Sequence, residues 1–241
     1  MSKLGMGGIT KMRKFILVGL SILLFASLIS SASASTMCVR LLVAYDEEFK
    51  SIANGQYGYS PETLAYIFMW DAEGRFMLNF DIQFTIVEYT SWISNNSLVW
   101  SSDRLDEVNA STNFKSLRNS GYVDVLVAFT GQEMLDAYGI ADRNMSAVLV
   151  AHCYDAWYWG QLTDNLVQHE LTHLYNVHDH YYHISCVMSE FEWYKTEEWC
   201  DSCKSTVMAN RENIGRPAVT GGGSWGVELN PASGVWTNKT V

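Results

Sequence analysis

The sequence predicts an α/β (α+β) domain: a mixed, mostly parallel, twisted sheet with a helix packed on it. Three observations carry this. Short β-type runs at residues 39–45 (VRLLVAY), 81–89 (DIQFTIVEY), 123–129 (VDVLVAF) and 146–152 (SAVLVAH) are separated by helical stretches. The runs at 123–129 and 146–152 are nearly continuous in apolar residues, as strands covered on both faces must be. Residues 162–175 place Leu162, Leu166, Val167, Leu171 and Leu174 at helical spacing.

The elements follow in order. After the first strand a polar, Gly-containing loop extends to Ser60. Ser60-Pro61-Glu62-Thr63 then starts a helix, with Ser as N-cap, Pro at the first helical position and an acid in the first turn. That helix reaches about Leu78. A weaker helical segment covers 101–117, and a last helix lies within 196–213. From Gly215 the Gly, Ser and Pro content rises, predicting a loose tail over 215–241 or a short crossing strand. One domain, residues 36–214, accounts for the rest.

Lys11, Arg13 and Lys14 precede an apolar run over residues 15–30 and then Ser31-Ala32-Ser33-Ala34-Ser35. This order reads as a secretory signal, residues 1–34, cleaved after Ala34, and implies a secreted, extracellular protein. The alternative is an uncleaved anchor, but the run is shorter than the roughly 20 residues that span a bilayer. Stable membrane insertion after cleavage is not expected. Losing four basic residues and no acidic one shifts the formal charge from −10 to −14. So acidic a chain repels phosphates, which excludes nucleic acid as a partner. With 48% hydrophobic residues, 9 Trp, 13 Tyr and 10 Phe, the chain has ample material for a core.

The chemistry is concentrated at His169-Glu170-Leu171-Thr172-His173. On a helix, residues four apart share a face, so His169 and His173 can reach one zinc ion, and Glu170 can reach a water on it. The bland alternative is a structural helix with two surface histidines. Asn176, three residues past His173, suits the left-handed conformation that ends a helix. Asp179 follows three residues later, where that turn brings it back toward the metal. His178, His180 and His183 compete for the same role; the first two flank Asp179 and point elsewhere if the turn holds.

His169-Glu170-x-x-His173-x-x-Asn176-x-x-Asp179 resembles the metzincin superfamily of zinc peptidases, in its adamalysin-like and archaemetzincin-like branches. Cys186-Val187-Met188 is similar to the Met-turn of that family, with Met188 as an apolar floor. Thr130-Gly131 and then Gly139-Ile140-Ala141 resemble its upper cleft rim. Asn176 in place of Gly, and Asp179 in place of a third His, are departures; an Asp ligand leaves the site nearer +1 than +2. The resemblance implies zinc held by His169, His173 and Asp179, with Glu170 as general base and acid in the hydrolysis of a peptide or protein substrate. It also implies a smaller C-terminal subdomain, and strand-like pairing of an extended peptide with residues 146–152 or with the rim at 139–141, a buried central strand being the alternative for 146–152. A gluzincin-type site using Glu190 or Glu192, and an inactive zinc-binding surface protein, are the rival readings.

Five cysteines follow the signal: Cys38, Cys153, Cys186, Cys200 and Cys203. Export favours disulfides, with Cys153 a partner for one of the last three. In archaemetzincin-like proteins four Cys after the third ligand hold a second, structural zinc. Here His180, Cys186, Cys200 and Cys203 stand in those places, and a His-Cys₃ site is chemically sound. Cys200-x-x-Cys203 is the main argument for metal. Trp157, Tyr158 and Trp159 read as core aromatics, with a substrate pocket as the alternative. Potential glycosylation sequons begin at Asn95, Asn109, Asn144 and Asn238.

Overall fold

The computed structural model describes residues 35–152, 160–181, 185–190, 196–217, 226–230 and 235–239 of the 241. The signal at 1–34, Cys153, the aromatic trio at 157–159, His183 and Glu192 lie outside them. Among the described residues no helix is long and apolar enough to cross a membrane.

Strand β1 (Met37–Tyr45) is central. It pairs in parallel with β2 (Ile82–Ser91) on one side and with β3 (Val125–Thr130) on the other. β5 (Ala147–Ala151) runs parallel to β3, and the short β4 (Gly139–Asp142) closes that side antiparallel to β5. The order β2-β1-β3-β5-β4 makes a mixed, mostly parallel sheet. Past residue 214, β6 (Arg216–Pro217) pairs antiparallel with Met37 and Cys38, and β7 (Gly226–Asn230) forms a hairpin with β8 (Val235–Lys239).

Strand alternation sorts the apolar residues into two layers. Val39, Leu41 and Val43 of β1, Val127 of β3 and Val148 and Val150 of β5 face one core, shared with Phe68 and Phe76 of the helix Pro61–Phe80 and with Leu166, Val167 and Leu171 of the motif helix Gly160–His173. Leu42, Ala44, Leu126, Ala128 and Leu149 face the other core, where Leu105, Val108 and Phe114 cover them. Helix α2 (Pro61–Phe80) begins as its cap predicts, with Thr63 N donating to Ser60 Oγ at 3.2 Å. The 101–117 segment is two helices, α3 (Ser101–Ser111) and α4 (Phe114–Asn119). The motif helix α5 (Gly160–His173) packs on the first core, and α6 (Asp201–Asn210) ends in a 3₁₀ turn, Arg211–Asn213.

Two elements differ from expectation. The stretch after β1 is not all loop: α1 (Glu47–Ile52) forms there and runs into a π turn over Ala53–Tyr57, stopped by Gly58 at φ 70°. Asp46 caps α1 by accepting from Phe49 N at 2.7 Å, and it also accepts from Gly131 N at 3.0 Å and from the Thr130 hydroxyl. One buried carboxylate thus ties the end of β1 to the end of β3. The stretch 139–142, expected only as a rim, is a strand, and β5 lies between β3 and β4. Residues 146–152 are therefore a buried central strand with both backbone edges used, and cannot take on a further strand. The free edge beside the motif helix is β4.

Candidate metal centre

The last turn of α5 tightens before it stops: Leu174 N donates to Leu171 O, Tyr175 N to Thr172 O and Asn176 N to His173 O at 3.0 Å. Asn176 then takes φ 66°, the left-handed conformation predicted for it. The reversal returns the chain across the helix end, so that Val177 O lies 2.8 Å from His173 Nδ1. Two residues on, Asp179 Oδ1 sits 3.1 Å from His169 Nε2 and 3.5 Å from His173 Nε2. The two Nε2 atoms are 3.1 Å apart. Donors on a tetrahedral zinc at about 2.0–2.1 Å lie about 3.3 Å from one another, so this spacing fits the ion.

Each imidazole is held from behind. His169 Nδ1 lies 2.8 Å from Val187 O, as His173 Nδ1 does from Val177 O. With Nδ1 donating to a carbonyl, Nε2 is the lone-pair nitrogen a metal needs. The ligand candidates are legible in the sequence, whereas these two carbonyls are not. Val177 was within reach, since it lies in the turn that Asn176 makes; Val187 depends on a long-range fold-back that no local pattern encodes.

Burial opposes charge on His169, but the hydrogen bond to Asp179 and the charge of Glu170 outweigh it and raise its pKa. Burial and the neighbouring His169 lower that of His173. Burial likewise works against an ionised Asp179, yet the two histidines hold its carboxyl below the usual range. Glu170 is 4% exposed and is pushed up to about 7 by burial. It faces Gly139 at the start of β4, in a cleft of about 920 Å³ that also takes in His152, Asp179 and Glu190. His178 is exposed on the cleft wall. Met188 is fully buried beside Val187, and His180 N donates to its carbonyl at 2.7 Å.

A second set of donors adjoins the first. His180 Nε2 is 2.7 Å from Cys203 Sγ and 3.4 Å from Cys200 Sγ. Cys203 Sγ is 3.5 Å from Cys200 Sγ and 3.7 Å from Cys186 Sγ. All four donor atoms lie within 4.8 Å of one another. The disulfide expectation does not describe this arrangement: Cys186, Cys200 and Cys203 are free thiols, and a disulfide bond is only about 2 Å long. Sulfurs on a tetrahedral zinc, at about 2.3 Å, stand about 3.7 Å apart.

Helix α5 is clamped on its other side. Arg75 Nη1 of α2 donates to Gln168 Oε1 at 2.6 Å and to Asn165 Oδ1 at 2.9 Å. Gln168 Nε2 donates to Glu197 O at 2.7 Å, and Trp199 Nε1 to Thr172 Oγ1 at 3.0 Å.

A family model described as metallo-peptidase family M12 matches residues 35–220. No curated protein matches the chain in sequence. Among solved structures, archaemetzincin from Methanopyrus kandleri is similar with a TM-score of 0.53 at 12% identity, over 72% of this chain and 95% of that one. A structure of a chaperone–substrate complex gives a TM-score of 0.53 at 10% identity, over 74% of this chain and 34% of that one. A zinc-dependent peptidase from Methanocorpusculum labreanum (strain Z) gives a TM-score of 0.46 at 9% identity, over 69% of this chain and 99% of that one.

Proposed function

The chain belongs to metallopeptidase family M12, and from that premise we propose that it is a secreted zinc endopeptidase whose ion is held by His169, His173 and Asp179. The observation that carries the assignment is the convergence of three donor atoms at 3.1–3.5 Å, with both imidazoles oriented by backbone carbonyls. Zinc bound there supplies Lewis-acid activation of water and of the scissile carbonyl. The remaining steps belong to the chain. Glu170 accepts the proton of the attacking water on its carboxylate and delivers it to the leaving amine. Asp179 balances part of the ionic charge, and β4, the free sheet edge, offers backbone groups to an extended peptide.

His180, Cys186, Cys200 and Cys203 fit a second, structural zinc, and their distances support this over disulfides. The test is zinc stoichiometry together with hydrolysis of a broad peptide library by wild type, Glu170→Gln and Asp179→Ala. We expect Glu170→Gln to keep its zinc and lose activity, and Asp179→Ala to lose the catalytic equivalent. A wild-type chain inactive on every peptide overturns the peptidase; zinc binding unchanged in Asp179→Ala overturns the ligand set.

A further inference from the structure

We propose that the His180–Cys186–Cys200–Cys203 cluster is a positioning device for the catalytic ion, so that metal bound in the cluster raises the affinity of the His169–His173–Asp179 site for its own metal. This rests on the two-site reading above. Two short backbone links join the sites. His180 follows Asp179 directly, so fixing the His180 imidazole fixes the backbone that carries the third ligand. Val187 lies between Cys186 and Met188, and its carbonyl orients His169 through Nδ1 at 2.8 Å.

The two links are also bonded to each other. His180 N donates to Met188 O at 2.7 Å, and Glu190 N donates to His180 O at 3.2 Å. Val187 N donates to Glu198 O at 2.7 Å, and Cys200 N to Cys186 Sγ at 3.3 Å. Pulling four side chains onto one ion therefore sets the separation of segments 179–180, 186–188 and 200–203 at once. Asp179 is nearly half exposed, with 44% of its side-chain surface accessible, so its place depends on its backbone more than on packing. Val187 and Met188 are fully buried, so a shift there displaces the core below His169. Support of this kind behind metal ligands is worth about 10–100-fold in affinity. Linkage is reciprocal, so filling the catalytic site tightens the cluster by the same factor.

The competing account is that protein anchors suffice. Trp199–Thr172 and Gln168–Glu197 fasten segment 197–199 to α5 without any metal. The two accounts separate by cobalt titration of the metal-free full-length chain. Thiolate-to-Co²⁺ charge transfer reports the cluster, and chelator competition measures the catalytic site. In wild type the charge-transfer band is expected to grow first, with the second equivalent bound afterwards. His180→Ala is expected to weaken the catalytic site at least about tenfold, and His180→Cys, which restores a fourth ligand, to recover it. Cys38→Ser, remote from both sites, is expected to leave it unchanged. Equal catalytic-site affinity in His180→Ala and wild type overturns the proposal. Should that variant not fold, the wild-type chain decides: a catalytic-site affinity that is the same with the cluster empty and with it filled overturns the proposal as well. A second equivalent that persists in His169→Ala instead sinks the metal assignment on which the proposal stands.

Discussion

A β-carbon on Gly139 would lie 2.6 Å from Oε1 and 2.8 Å from Cγ of Glu170. The edge strand and the candidate base are therefore in direct contact, and the strand leaves no room for a side chain there. Gly139→Ala is expected to push the buried Glu170 carboxylate out of line while the ligands stay in place. We predict a fall of about 10–100-fold in kcat, the range for a misplacement on the ångström scale. Zinc content should be unchanged. Full activity in the variant would show that Glu170 has slack in the cleft.

Asn176 holds φ 66°, and the turn it makes delivers both the Val177 carbonyl and Asp179. Asn176→Gly should be close to neutral in stability. Asn176→Ala should cost up to about 1 kcal/mol, because Ala lacks the short polar side chain that lets Asn hold the left-handed conformation. It should also weaken zinc, because the strain relaxes where the third ligand is placed. Urea unfolding and zinc competition on the same two variants give both readings.

His152 lines the cleft and is 5% exposed, stacked on Phe68 with ring centroids 5.6 Å apart. Burial pushes its pKa down to about 4. In the unfolded chain it titrates near 6.5. Between these values the unfolded state binds the extra proton, so stability falls as pH drops from about 6.5 toward 4. The contribution lost between pH 7 and pH 5 is about 2 kcal/mol. His152→Gln should flatten that part of the stability profile in urea unfolding at the two pH values. An unchanged slope would show that His152 is charged in the folded protein.

Asp46 is fully buried and accepts from Phe49 N, Gly131 N and the Thr130 hydroxyl. Asp46→Ala orphans these three donors and should cost at least about 3 kcal/mol, at about 1–3 for each buried group left unsatisfied. Asp46→Asn keeps one acceptor oxygen and should cost less. Equilibrium unfolding of the two variants ranks them directly.

Most of the sheet and the motif helix were legible because their signals are local. The apolar runs over 39–45 and 123–129, the Ser60-Pro61 start and the Asn176 stop each act within a few residues. Helix α1 was missed although Asp46-Glu47-Glu48 is a cap followed by first-turn acids; the Gly and polar residues just beyond it masked a helix only six residues long. β4 was read only as a rim because four residues give too little alternation, and its pairing with β5 supplies what the pattern lacks. The cysteines posed a different problem. Spacing cannot say whether Cys186 and Cys203 meet at a bond or across an ion; that needs their distance in space. The support from Val187 was invisible for the same reason.

The two halves of this molecule are assembled over very different spans of chain. β1 reaches β3 across some 84 residues, from Leu41 to Val125. His169 to Asp179, and His180 to Cys203, close loops of only about 10 and 23 residues, and short loops cost less entropy to close. On refolding of the full-length chain these short loops can therefore close before β1 and β3 align, and zinc added to the refolding buffer is expected to raise the yield.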